Sequence, residues 1–510
     1  MLEEERKYEV DPRFGVPDLS GCVPDGGQVV ALPPVTLRAT YYDTADRRLA
    51  RAGASLRYRR GDPVPWTVKL PTAVAGIRHE ISRPGAPVAI PTELVELVTA
   101  YTRGTTLEPA AVLRTTRRVH ELRDPGGRLL AELDDDSVAV LDGQKVRFRF
   151  REIEVERRDG GRKVLDRVDD VLRTAGANGR GTFVPKHVRA LGKLPAPELP
   201  APEAQLPRRA GAGDVVVRAL RSDIAKLVAY DPLVRLREPL PGGDTAVHQM
   251  RVGVRRLRTD LRVFRPLLDP LWASGLRAEL YWLADKLGAA RDAEVLRARL
   301  RKTAAADPLA ALDDAALARL DADLAARHEE ALNALDAALR TERYLVLLDH
   351  LAAAAGAPRL LAARAEAPAR ELLPRLVAKP WRQLAFGSDG VSGAGDLDPL
   401  APDDEWHEVR IRAKRARYAT EAVADVLGGA AADLARMLAE VQGLLGEHQD
   451  AAIAAHTWLA IARADPDDHA LAVTAGRLYE RERAAVRRAR DRFPALWAKA
   501  DRRRLTGWLP

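Results

Sequence analysis

The chain changes texture once along its length. Up to about residue 194, apolar and polar residues alternate in short runs. Ser55-Leu56-Arg57-Tyr58-Arg59, Trp66-Thr67-Val68-Lys69-Leu70, Leu129 to Asp136 and Val146 to Glu156 are such runs. Asp62-Pro63, Asp124-Pro125-Gly126-Gly127 and Asp142-Gly143 separate them. A period of two with turn residues between runs predicts antiparallel strands. Helices are predicted at Pro91 to Thr102 and at Val164 to Ala175. Then Pro195-Ala196-Pro197-Glu198-Leu199-Pro200-Ala201-Pro202, with Pro207 beyond, removes backbone donors and favours an extended spacer. From residue 213 onward apolar positions recur every 3.6 residues, interrupted most clearly by the Gly/Asp/Pro stretch Gly387 to Asp404. The expected organisation is a β-rich domain at 1–194, a proline-rich linker at 195–212 and an all-α domain at 213–510.

Charges in the first part follow the same alternation. Glu3, Glu5 and Lys7 share one strand face, and so do Glu152, Glu154 and Glu156. Arg57 and Arg59 form such a pair, as do Arg78 and Glu80, while Glu132, Asp134 and Asp136 form a trio. Lys69 stands between Val68 and Leu70. One strand of this kind is an ordinary solvent-facing surface. Many of them, with Ile153 and Val155 opposite the late acidic face, predict a charged face that is wet yet enclosed. A closed antiparallel β-barrel with a polar lumen meets that condition. Cations alone would suit a bare phosphate chain. Carboxylates beside them suit a hard divalent cation, Mg²⁺ or Mn²⁺, so the lumen reads as a site for a metal–polyphosphate complex.

Composition narrows the setting. Hydrophobic residues make up 46% of 510, enough for real cores. The single cysteine, Cys22, forms no internal bridge, which fits a reducing compartment. The opening Met1-Leu2-Glu3-Glu4-Glu5 lacks the basic-then-apolar pattern of a secretory signal, and no apolar run is long enough to span a bilayer. A cytoplasmic protein is expected. The net charge of +8 is small beside 81 Lys+Arg and 73 Asp+Glu, so placement matters more than the total.

Residues 1–192 resemble the CYTH domain, whose members are triphosphate tunnel metalloenzymes. Glu3-x-Glu5-x-Lys7 carries the resemblance, with Tyr41-Tyr42-Asp43-Thr44, Leu49 to Gly53, Leu56-Arg57-Tyr58-Arg59, Trp66-Thr67-Val68-Lys69, Thr116-Arg117-Arg118, Glu152 to Glu156 and Pro185-Lys186-His187. Pro185 departs from the family, which usually has serine there. The resemblance implies that Glu3, Glu5, Glu154 and Glu156 hold the metal, with Asp134 assisting and Glu152 near the tunnel end. It implies that Lys7, Arg57, Arg59, Lys69, Arg117 and Lys186 clamp triphosphate oxygens. Catalysis would then rest on positioning and electrostatics, with no Ser or Cys nucleophile. The family includes inorganic triphosphatases, thiamine triphosphatases and class IV adenylyl cyclases; hydrolysis of inorganic tripolyphosphate is the first expectation.

The helical part contains a duplication. His248-x-x-Arg251-x-x-x-Arg255-Arg256-x-Arg258 recurs as His407-x-x-Arg410-x-x-x-Lys414-Arg415-x-Arg417, about 159 residues on. Leu287-Gly288-x-x-x-Asp292 likewise recurs as Leu445-Gly446-x-x-x-Asp450. Two bundles are expected, about 213–386 and 403–510. On a helical wheel the His and the basic residues at offsets 3, 7 and 10 share an arc of about 80°, with offset 8 at the border. Asp244 or Thr245 is expected to cap the first helix, and Asp403 or Asp404 the second. His448 and His456 read as ordinary polar or core residues. The segment resembles the CHAD domain, the conserved-histidine α-helical domain, over about 213–505. That resemblance implies binding of long-chain inorganic polyphosphate, and hence association with polyphosphate granules. His248, Arg251, Arg255, Arg256 and Arg258, with His407, Arg410, Lys414, Arg415, Arg417 and Tyr418, would line the cavity. Arginine forks suit repeated phosphates. A non-catalytic polyphosphate-binding protein is the alternative. Nucleic acid is disfavoured by the 5% aromatic content and the absence of a recognisable motif. The oligomeric state stays open.

Overall fold

The computed structural model describes residues 2–72, 74, 76–178, 184–207, 209–306, 311–388 and 390–510, with Leu2 by its backbone only. Two compact units result, Met1–Glu198 and Leu199–Pro510.

Among the described residues the first unit holds nine strands: β1 (Leu2–Val10), β2 (Gln28–Ala31), β3 (Val35–Asp43), β4 (Ser55–Arg60), β5 (Trp66–Pro71), β6 (Ile77–Arg83), β7 (Glu108–Arg123), β8 (Leu129–Asp142) and β9 (Lys145–Arg157). Eight of them close an antiparallel barrel in the order β7-β3-β4-β5-β6-β1-β9-β8 and back to β7. Strand β2 pairs with the far end of β7, beyond β3. Helices α1 (Arg48–Arg51), α2 (Thr92–Leu97) and α3 (Thr99–Thr102) interrupt the strands, and α4 (Arg162–Thr174) and α5 (Lys186–Leu191) follow them. The predicted helix at 91–102 is therefore two short helices, while α4 matches its predicted span to within two residues at each end.

Period two sets which side of the barrel is dry. Leu133, Ile153 and Val155 point outward and are fully buried beneath Leu165, Val168 and Leu172 of α4. Their neighbours Asp134, Glu154 and Glu156 consequently point into the lumen. Asp43 is fixed differently: its buried carboxylate accepts the backbone N–H groups of Thr44, Leu49 and Ala50 at 2.7, 2.9 and 3.0 Å. It ties the end of β3 to α1.

The second unit is helical: α6 (Ala212–Leu236), α7 (Ala246–Val263), α8 (Pro270–Ala304), α9 (Asp314–Leu339), α10 (Glu342–Gly356), α11 (Ala362–Ala365), α12 (Ala369–Phe386), α13 (Asp403–Leu427), α14 (Gly429–Ala464), α15 (His469–Ala500) and α16 (Arg503–Thr506). The duplication is visible as α6-α7-α8-α9 and α12-α13-α14-α15, each helix packed on the next. The long helices α8 and α14 have 35 and 36 residues. The starts of α6 and α12 pair reciprocally: Ala212 N–H donates to Ala367 at 2.8 Å and Ala369 N–H to Ala210 at 3.1 Å. Leu300, Leu320, Leu324, Trp458, Leu471 and Leu478 form a core joining α8 and α9 to α14 and α15. No helix among the described residues is long and apolar enough to cross a membrane.

Thr245 caps α7 by accepting the His248 N–H at 3.2 Å. The second cap differs from expectation. Pro402 occupies the N-cap of α13, and Asp403 turns sideways to accept Arg483 and Arg490, each at 2.6 Å.

Candidate functional site

Barrel register divides the lumen into two chemical walls. Strands β1, β9 and β8 are neighbours, and their inward carboxylates stand directly opposite one another. Glu5 pairs with Glu156, Glu132 with Glu156, Asp134 with Glu154 and Asp136 with Glu152. Cross-strand partners lie about 4.5–5.5 Å apart at Cα, so each like-charged pair is unfavourable by itself. The opposing cations are Arg57 and Arg59 on β4, Lys69 on β5, Arg117 on β7 and Lys186 at the start of α5. Lys7 on β1 stands opposite Glu154.

The cations hold the acids together. Lys7 bonds Glu154 and lies 3.1 Å from Glu5. Lys69 bridges Glu3 at 2.6 Å and Glu80 at 2.9 Å. Arg117 bonds Asp134, grips Asp136 through two N–H groups at 2.9 and 2.7 Å, and reaches Glu154 at 3.3 Å. Lys186 bonds Asp136 and lies 2.8 Å from Glu154 and 3.4 Å from Glu152. Pro185 precedes α5 without disturbing this placement. Burial opposes the charge on Lys7, Arg117 and Lys186, yet the surrounding carboxylates raise all three pKa values. Glu154 is held well below the usual carboxylate range: burial acts against it, but Lys186, Lys7 and Arg117 prevail.

Other carboxylates are under-compensated. Burial pushes Asp134 up to about 7 against the pull of Arg117, with Asp136 adding to the rise. Burial likewise pushes Glu156 to about 7 against Arg158, with Glu3 adding to the rise. Glu3 is raised by burial against Lys69, with Glu5 and Glu80 reinforcing it. All three line one cavity of about 200 Å³, together with Glu5, Glu132 and Arg57. One buried oxygen of Asp134 has no hydrogen-bond partner. The tightest trio, Asp134, Asp136 and Glu154, offers oxygens within 4.8 Å of one another, although Arg117 already bridges it. A set of hard oxygen donors short of positive charge fits a divalent cation.

Arg57 completes the cationic side. Its Nε is buried without a hydrogen-bond partner, and it lies against the Tyr41 hydroxyl. Arg59 is bound to Asp62. Asp136, Arg78, Glu80 and Arg158 also belong to this charged lumen, beyond the site residues expected from the sequence; the signal for Asp136 is its shared parity with Asp134, and for Glu80 its register opposite Lys69. His187 stacks on Tyr41 at 5.1 Å, and burial drives its pKa down to about 3.

In the helical unit the duplicated basic residues fall into three groups. Arg251, Arg255, Arg410 and Lys414 converge between α7 and α13. Burial first, then Arg410, Arg255 and Arg251 in that order, together lower Lys414 to about 6. His248 belongs beside them: burial, then Arg291, lowers its pKa, and Arg255 adds to this. His407 has a buried Nδ1 without a partner. The downstream repeat is explained here, because Arg251 faces Asp292 at 3.4 Å and Arg410 faces Asp450 at 3.9 Å. Arg251 also lies over Gly288, where a Cβ would meet its guanidinium at 3.8 Å. In the second group, Arg256 and Arg417 both bind Glu421, at 2.7 and 2.6 Å, around the buried Tyr418 ring. In the third, Arg258 stacks on Tyr281 at 4.8 Å, and Arg415 lies near Arg262 and Arg277. His448 is a core residue stacked on Trp406 at 4.9 Å.

Comparison with known proteins agrees with both halves. The CYTH domain family model matches residues 1–177 and the CHAD domain model residues 218–459. An uncharacterized protein of Mycobacterium tuberculosis is 31% identical over 527 residues, spanning 98% of this chain and 96% of its own. Among solved structures, PptA from Streptomyces chartreusis is 27% identical with a TM-score of 0.46, over 57% of this chain and 100% of that one. The CHAD domain from the plant Ricinus communis is 23% identical with a TM-score of 0.41, over 57% of this chain and 96% of that one. The chain thus belongs to the family of proteins in which a CYTH domain, with its triphosphate-tunnel fold, is followed by a CHAD domain.

Proposed function

We propose that the barrel is a metal-dependent triphosphatase whose first substrate is inorganic tripolyphosphate, and that the helical unit binds long-chain inorganic polyphosphate. The observation that carries the first part is the two-walled lumen. Five like-charged carboxylate pairs, Glu9 with Glu152 included, face one another across β1, β9 and β8, opposite a cationic side. Such pairs weaken the fold, and a bound cation would relieve them.

Glu3, Glu5, Asp134, Glu154 and Glu156 would hold Mg²⁺ or Mn²⁺. When bound, the metal offsets phosphate charge and acidifies an attacking water. Lys7, Arg59, Lys69, Arg117 and Lys186 would exchange carboxylate partners for phosphate oxygens as the substrate enters, and Arg57 would bind those oxygens beside them. Arg57, with its unpaired buried Nε, is ready to do so without breaking an ion pair. These groups are fixed by the barrel before substrate arrives, so little reorganisation accompanies the reaction.

On the helical side, Arg251, Arg255, Arg410 and Lys414 crowd together with few acids between them, an arrangement that a polyanion stabilises. His248, His407, Arg256, Arg258, Arg415, Arg417 and Tyr418 would extend this surface.

The test is phosphate release from tripolyphosphate by the full chain with Mg²⁺ or Mn²⁺. Glu5→Gln is expected to lower turnover by at least about 100-fold, the scale of losing one electrostatic stabiliser, with the circular dichroism spectrum unchanged. Undiminished turnover in that variant would overturn the metal assignment. A parallel screen of thiamine triphosphate and ATP fixes the substrate.

A further inference from the structure

The duplication builds two equivalent grooves whose charges have diverged. One lies between α6, α7 and α13. Arg218, Asp223, Arg256, Asp260, Glu421 and Asp425 line it. Its cations are neutralised internally: Arg256 binds Glu421 at 2.7 Å and Arg218 binds Asp425 at 3.0 Å.

The other lies between α12, α13 and α7. Arg375 and Lys379 of α12 stand where Arg218 and Ser222 stand on α6. Arg415 replaces Arg256, and Arg262 replaces Glu421. The residue that neutralises the first groove is therefore a cation in the second. Arg265 and Arg277 add further charge around a cavity of about 810 Å³, and no Asp or Glu among the described residues lines it. Among the described residues, none of these six cations has a carboxylate oxygen within 4.0 Å. Burial lowers the pKa of Arg277, and Arg262 and Arg265 lower it further. The Nε of Arg277 is buried without a hydrogen-bond partner. Arg415 is lowered by burial and by Arg262, with Glu408 opposing.

Like charges gathered this closely repel unless an anion sits among them. The cavity has the size of a small-molecule site. Among the described residues its lining contains Thr259, Pro266, Leu376 and Gln383 but no aromatic ring on which a base would stack. We propose that this groove is a second binding site, for a compact polyphosphorylated anion, centred away from the Arg251, Arg255, Arg410 and Lys414 cluster and sharing only Arg415 with the surface proposed above. Arginine forks at Arg262, Arg375 and Arg415 would each engage phosphate oxygens, with the Lys379 ammonium as a mobile fourth charge.

Lys379 allows a localised test, because it is exposed and its amine can be acetylated. Lys226, beside Asp223 of the neutralised groove, is the internal control. The full chain is treated with an acetylating reagent in the presence of a chelator, with and without inorganic tripolyphosphate, and each lysine is quantified by mass spectrometry. Lys379 is expected to be protected about tenfold at a ligand concentration ten times Kd, with Lys226 unprotected. Arg262→Glu, which installs the acid of the sister groove, is expected to abolish that protection. Lys414→Glu is expected to leave it intact, since that variant disrupts only the other cluster. Equal modification of Lys379 with and without ligand, equal protection of Lys226, or loss of protection in Lys414→Glu would each overturn a separate site.

Discussion

Lys414 sits where Arg410, Arg255 and Arg251 converge, and its ammonium is charged only below about pH 6. In the unfolded chain the same group titrates near 10.5. Between those values the unfolded state binds a proton that the folded state does not, so this lysine makes the fold more stable as pH rises from about 6 to 10.5. A bound polyphosphate reverses the local balance by restoring the charge. Binding at pH 8 is therefore expected to take up close to one proton. Calorimetry in two buffers of different ionisation enthalpy measures that uptake directly. Lys414→Arg should bind with similar affinity but without proton uptake, because a guanidinium keeps its charge far above pH 8. Buffer-independent enthalpies for the unaltered chain would show that Lys414 does not meet the ligand.

Strand β9 shows what one element must do on two faces. Ile153 and Val155 are fully buried under α4, while Glu154 and Glu156 point into the lumen. Substitutions on the two faces should therefore have opposite signs. Ile153→Ala leaves a cavity against Leu165 and Val168 and should cost about 2–5 kcal/mol. Glu156→Gln should stabilise the barrel at pH 8, because its carboxylate, with a pKa near 7, is ionised there against burial and against Glu3. Urea unfolding at pH 8 checks both, and a loss of stability in both variants would contradict the face assignment. The alternation was legible in the sequence because period two allows only two faces, and one of them was apolar. Partner choice was not. Whether Lys186 would meet Asp136 or Glu152 depends on a register between segments about 50 and 30 residues apart and on the start of α5. Asp136 shared its parity with Asp134, yet it is the register of the β7–β8 hairpin that sets Arg117 opposite Asp136 and within reach of Asp134. The helices show a similar limit. The wheel placed Arg258 with the His face, but Tyr281 on α8 draws it away. Asp403 resembled a cap until α15 supplied Arg483 and Arg490 as partners.

At the scale of the whole molecule, each unit has a core of its own. Leu133, Ile153, Val155 and Leu165 belong to the barrel, and Trp406, Leu438, Phe493 and Trp497 to the helical unit. The segment between them is rich in proline, and Glu203 within it is exposed. Glu198, on the barrel side, is held by Arg51 at 3.3 Å and by Arg103, so the proline-rich stretch leaves the barrel after it. A glutamate-specific protease should accordingly cut first at Glu203. The two fragments should each melt in their own cooperative transition, because each of these cores is built from residues of its own unit. Ligands then separate the two proposed activities. Tripolyphosphate with Mg²⁺ at 100 times Kd stabilises its host by about 2.7 kcal/mol. For a unit of this size that is a rise in Tm of about 5–10 °C, and in the N-terminal fragment it should require Mg²⁺, whereas any rise through the Lys379 groove of the C-terminal fragment requires no metal. Long-chain polyphosphate without metal should raise the C-terminal transition instead. A single ligand-sensitive transition after cleavage, or activity that vanishes with the cut at Glu203, would mean that the tunnel depends on the helical unit for its chemistry.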